Sequence, residues 1–153
     1  MLPEALGQDA CALAEEQDRP ALVCRMHISD SGVIDSFDFF EAMVRSRAKL
    51  SYFAVDRYLA GQHDGLMSHA TPLEPLYQAY RALRAERERS GLVMEERREF
   101  RWILNDQKRI ESIEPQEKLQ SQRLVEECMI AANRCAAEFL KARGAAGPFV
   151  CHT

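Results

Sequence analysis

Hydrophobic and polar positions change period several times along the chain, and each change marks an element. Residues 2 to 18 mix small, apolar and acidic types without a long clean period, which predicts loop and one short helix. Pro20 to Ser29 (PALVCRMHIS) is apolar and β-compatible, ends in the turn cluster Asp30-Ser31-Gly32 and leads into VIDSFDFFEAMVRS, so the pair predicts a β-hairpin. In the second arm Val33, Asp35, Phe37 and Phe39 alternate with Ile34, Ser36, Asp38 and Phe40. Neither face is wholly polar, and cover is expected on more than one side. Ser51 is placed to cap a short helix running to Leu59, with Val55, Tyr58 and Leu59 as its stripe and Gly61 as its stop.

Gln62 to Ala70 reads as a loop. Thr71-Pro72-Leu73-Glu74 has the spacing of a capping box with Pro at the first helical position, and Pro75 delays the regular helix; Leu76, Tyr77, Tyr80 and Leu83 then continue to Ser90-Gly91. Its RALRAERERS end reads as a solvated, salt-bridged face. EFRWIL (Glu99 to Leu104) and RIESI (Arg109 to Ile113), joined by Asn105-Asp106-Gln107-Lys108, predict a second hairpin. The clearest element is a helix from Glu117 to Arg143, in which Leu124, Val125, Cys128, Ala132, Cys135, Ala136, Phe139 and Leu140 share one face and Gly144 and Gly147 stop the run. Pro148 to His152 starts what reads as another strand. The fold class expected is α+β, with two antiparallel hairpins packed with helices and the long C-terminal helix laid on the sheet.

A chain of 153 residues is long enough for one ordinary core, and 46% hydrophobic residues argue against disorder. No stretch approaches the roughly 20 apolar residues of a membrane span, and Met1-Leu2-Pro3-Glu4 is not the start of a signal peptide, so a soluble, cytoplasmic protein without a membrane partner is expected. Cys11, Cys24, Cys128, Cys135 and Cys151 show no CxxC spacing and read as reduced core residues; His27, His63, His69 and His152 are equally dispersed, which argues against zinc. A net charge of −4 weighs against a free-standing nucleic-acid module, although a local basic patch can still bind RNA. An irregular start and an end inside a strand leave backbone groups unpartnered, and a piece of something larger is expected.

GxxxxGK[ST], GxGxxG and GxSxG are absent, which removes the usual phosphate loops and the esterase elbow. Asp30, Asp35 and Asp38 are oxygen donors but read as turn and strand-surface carboxylates rather than a cation cage. On the long helix Glu126, Ile130 and Asn133 lie together away from the apolar stripe, with Met129 between the two faces. There Glu126 can accept hydrogen bonds from a ligand hydroxyl and Asn133 can orient it; the ordinary alternative is an interdomain contact or plain solvation. The cluster Arg45-Ser46-Arg47-Ala48-Lys49 precedes Tyr52 and Phe53, and cations followed by a ring suit a single strand, whose phosphates and bases they hold. The alternative is a solvated strand end with both rings in the core.

These segments together resemble the catalytic RNB domain of the ribonuclease II family of 3′-to-5′ exoribonucleases, nearer to ribonuclease II than to ribonuclease R. MLPEAL followed by DACAL looks like the family's MLP stretch, and RPALVCRM, RSRAKLSY, FRWIL and RLVEECMIAANRCAA follow in the family's order over nearly the whole chain. The resemblance implies Mg²⁺-dependent hydrolysis of single-stranded RNA from its 3′ end to nucleoside monophosphates. It also implies that the metal-binding aspartates lie upstream of the MLP stretch, and an arginine downstream of the helix. The expectation is therefore a central part of the RNB domain, residues 1–153, truncated at both ends. It would bind no metal by itself, hold no catalytic residue, and need the missing parts of the domain as partner. Glu126 matches a family residue that holds the 3′-terminal nucleotide, and Met94 matches a phenylalanine that clamps terminal bases, where methionine supplies packing without ring stacking. Arg47, Lys49 and Tyr52 lie in a family string, and their RNA role rests on their chemistry. The rival expectations are a truncated, non-catalytic RNA-binding or protein-interaction module and, ranked lowest, a split enzyme completed by a second chain.

Overall fold

The computed structural model describes residues 3–62, 66, 70–91 and 99–147. After a π-helical turn at Ala5–Ala10 come β1 (Asp18–Ile28), β2 (Ile34–Arg45), α1 (Tyr52–Leu59), α2 (Ala70–Arg89), β3 (Glu99–Leu104), β4 (Ile110–Gln116) and α3 (Gln120–Ala142). β1 pairs antiparallel with β2, and β3 with β4, giving two separate two-stranded sheets among the described residues. The class is α+β. The expected strand at Pro148 to His152 lies outside the described residues, as do His63, His69 and Cys151.

The first hairpin is covered on both faces, but at opposite ends. Near the turn, Cys24 and Met26 of β1 and their cross-strand partners Phe39 and Phe37 are half-buried, and the Phe39 ring meets Phe139 of α3 edge-on at 5.1 Å. At the far end the other face carries half-buried Arg19, Ala21, Ala42 and Val44. The N-terminal segment is tied there: Arg19 Nε donates to the Ala12 carbonyl at 3.2 Å, and the Glu16 N–H donates to the Ser46 carbonyl at 2.7 Å. Cys11 in that segment is exposed, against the expectation of a core thiol, because the segment runs over the hairpin's surface rather than beneath it.

α1 begins as expected: Ser51 Oγ accepts from the Ala54 N–H at 3.2 Å, and Gly61 ends the helix at φ +88°. α2 departs from expectation by including Ala70 and Thr71, so Thr71 is not its cap. Pro72 costs little within the first turn, whose N–H groups have no intrahelical partner, whereas Pro75 forfeits a bond one turn later. α3 starts three residues after Glu117, where Gln122 Oε1 accepts from the Leu119 N–H at 2.9 Å. It ends in a Schellman turn, with Ala145 N–H on the Leu140 carbonyl, Gly144 N–H on Lys141, and Gly144 at φ +62°.

The line of α3 that is most buried is Ser121, Leu124, Glu127, Ala131 and Cys135. Val125 and Leu140, both on the expected apolar stripe, remain 37% exposed. The helix is rotated relative to its hydrophobic pattern because it packs on α1 and α2, and a carboxylate on the α2 side finds cationic partners there. Tyr58, Leu66 and Leu73 form the core beside α1, with Tyr80, Leu83 and Leu124 buried along α2 and α3.

The first hairpin is locked onto α2 at its turn. Gly32 has φ +83°, and a Cβ there would sit 2.0 Å from the Ala82 carbonyl oxygen, while Arg89 of α2 donates to the Ser31 carbonyl. Gly32→Ala is expected to destabilise the chain by more than about 2 kcal/mol in urea unfolding, from positive-φ strain plus the backbone clash. A loss under about half a kcal/mol would mean that the turn does not seat on α2.

Candidate nucleic-acid interface

The sequence between β2 and α1 is pinned at its start and open at its end. Arg45 closes a bidentate pair with Asp18 across the hairpin, Nε and Nη2 at 2.7 and 2.8 Å, which holds the Asp18 carboxyl below its usual range, with Arg47 adding to the effect. Arg45 is thus committed to the hairpin. Arg47 is exposed and only 3.7 Å from Glu16, a surface contact of small energy, and Lys49 is exposed with no ion pair among the described residues. Tyr52 and Phe53 then open α1 with 48% and 65% of their surface exposed. The alternative that buries both rings does not hold.

α1 carries these rings to the beginning of α3. Ser121 Oγ donates to the Tyr52 carbonyl at 2.8 Å, and the Ser121 N–H donates to Asp56 Oδ1 at 3.2 Å. The second bond gives a free helix-end N–H a carboxylate partner. Glu126 lies five residues on, about 7.5 Å along the axis. Its side chain is 45% exposed and its carboxylate takes a hydrogen bond from Lys118 Nζ. Arg47, Lys49 and Tyr52 follow one another from the end of the hairpin to the start of α1, and Glu126 stands in the first turns of α3, the helix that the Tyr52 carbonyl meets through Ser121. Met94 lies outside the described residues. Asn133 is exposed, Ile130 half-buried and Met129 60% exposed, so the second face of α3 is partly covered.

The neighbouring residue Glu127 points toward α2 and is 3% exposed. Its carboxylate accepts from Arg87 Nε at 3.0 and 3.1 Å and from Arg84 Nη1 at 3.4 Å, with a further bond from Arg87 Nη2. Arg84 also donates to Glu88 at 2.7 Å. The face of α2 expected to be solvated is thus the one that meets α3. Beside it a groove of about 330 Å³ is lined by Tyr77, Tyr80, Arg81, Arg84, Gln120 and Arg123. Tyr77 donates to Gln120 Oε1 at 2.9 Å, and burial pushes the Tyr80 phenol up. Sequence reasoning missed Glu127, which lies on the buried line between Leu124 and Ala131, at i−3 and i+4 from it.

Among the described residues no three His, Cys, Asp or Glu side chains converge as a metal site would require, and no helix is long and apolar enough to cross a membrane. Of the three hairpin aspartates, Asp38 is paired with Arg25 at 2.7 Å.

Comparison with known proteins places this architecture. Residues 1–153 match the RNB domain model, and the chain belongs to that family. Ribonuclease R of Escherichia coli K12 is 38% identical over 145 residues, covering 92% of this chain and 18% of that protein. Exoribonuclease 2 of Cronobacter sakazakii is 37% identical over 156 residues, covering 99% of this chain and 24% of that protein. The chain thus spans about a fifth to a quarter of these relatives, and identity does not rank one above the other. In fold it is similar to Mycoplasma genitalium RNase R, solved in complex with ribose-methylated single-stranded RNA, at a TM-score of 0.87 and 21% identity over 99% of this chain and 24% of that one.

The two adjacent glutamates are expected to separate in urea unfolding. Glu127→Ala, which takes the shared carboxylate away from partly buried Arg84 and Arg87, should cost about 3 kcal/mol or more. Glu126→Ala should change stability by no more than about 0.5 kcal/mol, since it removes only a partly exposed pair. Equal losses would show that Glu127 is not the interhelical anchor.

Proposed function

We propose that this chain is the central part of the RNB catalytic domain of a cytoplasmic 3′-to-5′ exoribonuclease that hydrolyses single-stranded RNA to nucleoside monophosphates. It supplies scaffold and part of the RNA channel, and the rest of the catalytic domain is its partner. The observation that carries this reading is the RNB match over residues 1–153, with relatives named as ribonuclease R and exoribonuclease 2. The exposed groups support it: the cations Arg47 and Lys49, the Tyr52 ring and the Glu126 carboxylate suit phosphate, base and ribose respectively.

In this reading Arg47 and Lys49 offset phosphate charge, and the Tyr52 ring stacks a base. Glu126 accepts a hydrogen bond from a ribose hydroxyl of the 3′-terminal nucleotide once Lys118 yields it. Met94 packs against a terminal base without the stacking that an aromatic ring gives. Mg²⁺, when bound in such an enzyme, activates water and stabilises charge developing at the phosphate. The described residues do not fit a metal site, since no three donors converge, so no bond-breaking step is assigned to a group of this chain.

The test replaces the matching segment of Cronobacter sakazakii exoribonuclease 2 with residues 1–153. The chimera is expected to release mononucleotides from single-stranded RNA with Mg²⁺, and Glu126→Ala within it to lower kcat/KM at least tenfold. A chimera that folds cooperatively and binds RNA but releases nothing would overturn the catalytic reading in favour of a non-catalytic binding module. In the chimera Arg47→Ala with Lys49→Ala should weaken RNA binding and reduce the log–log salt slope by roughly 1.4, the share of two phosphate contacts on a single strand. An unchanged slope would remove both residues from the RNA path.

A further inference from the structure

We infer that the groove between α2 and α3 is a binding site for a nucleoside monophosphate, separate from the surface that carries Glu126. Its walls are facing stripes of the two helices. Tyr77, Tyr80, Arg81 and Arg84 recur at three- and four-residue spacing along α2, and Gln120 and Arg123 stand one turn apart on α3. The volume, about 330 Å³, is at the small end of the roughly 300–1,000 Å³ of small-molecule sites, which suits one nucleotide better than a run of them. The charge of the wall opposes that of the chain. Among the described lining residues three guanidinium groups meet one carboxylate, Glu88, with Glu127 against Arg84, whereas the whole chain carries −4. An anion is therefore drawn to this place on a chain whose net charge repels it.

Each part of such a ligand meets a matching group. Arg81 is exposed and makes no ion pair among the described residues, so its guanidinium is available to take two phosphate oxygens at once. Arg84 is held at 2.7 Å by Glu88, whose side chain is 53% exposed, and at 3.4 Å by buried Glu127. The Glu88 contact is a surface pair of small energy that a phosphate carrying nearly two charges displaces, while Glu127 keeps Arg84 in place. The rings of Tyr77 and Tyr80 lie 29° from parallel with centroids 5.8 Å apart, an aromatic surface on which any base can stack. Tyr77 donates to Gln120 Oε1 at 2.9 Å. That leaves the Gln120 amide nitrogen, which has no bond among the described residues, as a donor to a base edge or a ribose hydroxyl. Inorganic phosphate would engage only the arginines, and a nucleoside only the rings and the amide, so the two parts together define the ligand. The site does not rest on the proposed RNA surface: the groove lies on the side of α3 to which Glu127 points, and Glu126 is about 100° round the helix.

The experiment titrates the isotope-labelled chain with adenosine 5′-monophosphate, and separately with adenosine and with inorganic phosphate, following backbone amide shifts by NMR. Saturable shifts are expected within residues 77–88 and 120–127, with the nucleotide bound at least fivefold more tightly than either of its parts. Arg81→Ala, which removes a side chain without an internal partner, should weaken the nucleotide at least fivefold, and Tyr77→Leu should bring it down to the affinity of inorganic phosphate. Arg134→Ala, at an exposed position further along α3, should leave it unchanged. The inference is overturned if the nucleotide gives no saturable shift at millimolar concentration, or if inorganic phosphate binds as tightly, the mark of a general anion contact. It is also overturned if the shifts gather at Arg47, Tyr52 and Glu126 and Arg81→Ala does not alter them. A single-stranded RNA oligonucleotide that displaces the nucleotide and gains affinity with each added residue would overturn it in favour of a strand site. Should Tyr77→Leu fail to fold, the three titrations of the unmodified chain and of Arg81→Ala decide the matter. None of these readouts uses Glu126 or hydrolysis, so failure here leaves the proposed function standing.

Discussion

The buried carboxylate of Glu127, held by Arg84 and Arg87, is the constraint on which the arrangement of the described helices rests. A carboxylate taken out of water is costly unless it is fully paired, and here two guanidinium groups from one helix provide that pairing. Such a site is directional in a way that apolar packing is not. A leucine at this position would tolerate a rotation of α3 by some tens of degrees, whereas the fork of Arg87 accepts Glu127 in a narrow range of orientations. The pair therefore contributes more to the register of α3 against α2 than to net stability.

α2 is the common support of the other elements. On one side it carries the guanidinium groups that meet α3; on another, the Ala82 carbonyl lies so close to Gly32 that the hairpin turn has room only for a residue without a side chain. Arg89 adds a bond to the same turn, and Tyr77 one to Gln120 at the start of α3. The beginning of α3 also receives α1 through Ser121. Polar bonds, not a large apolar core, thus fix the first turns of α3. The second hairpin shows the contrast: Phe100, Trp102, Leu104 and Ile113 lie along one face of β3 and β4, each more than half exposed.

Much of this was legible in the sequence because local rules decide it. Alternation bounded by turn residues found both hairpins, Ser51 and Gly61 bracketed α1, and the 3.6-residue period with a terminal glycine found α3. The rotation of α3 was not legible. A periodicity argument treats Glu as outward-facing, and Glu127 is inward only because arginines about forty residues earlier, in RALRAERERS, turn toward it. The same long-range pairing took those arginines out of the solvated face to which their composition assigned them. Tyr52 and Phe53 were ambiguous for the opposite reason: rings after a basic run are equally at home in a core or on a surface, and only the docking of α1 on Ser121 decides between the two. The role proposed for Glu126 comes from the resemblance to the RNB family and not from spacing, and the resemblance could not distinguish the fates of the two adjacent glutamates.

That distinction follows from helix geometry. Consecutive residues on a helix point about 100° apart, so if one of a glutamate pair is buried against a neighbouring helix, the other is carried toward the edge of that interface. Anchoring Glu127 on α2 therefore sets where Glu126 emerges, within reach of Lys118. The Lys118 contact is the weaker of the two, since both partners are partly exposed, and it is the one a ligand can displace. A strong pair holds the helix and a weak pair next to it keeps a carboxylate available. A substitution at Glu127 would disturb the interface indirectly, by turning α3, even though that residue touches none of the proposed RNA path.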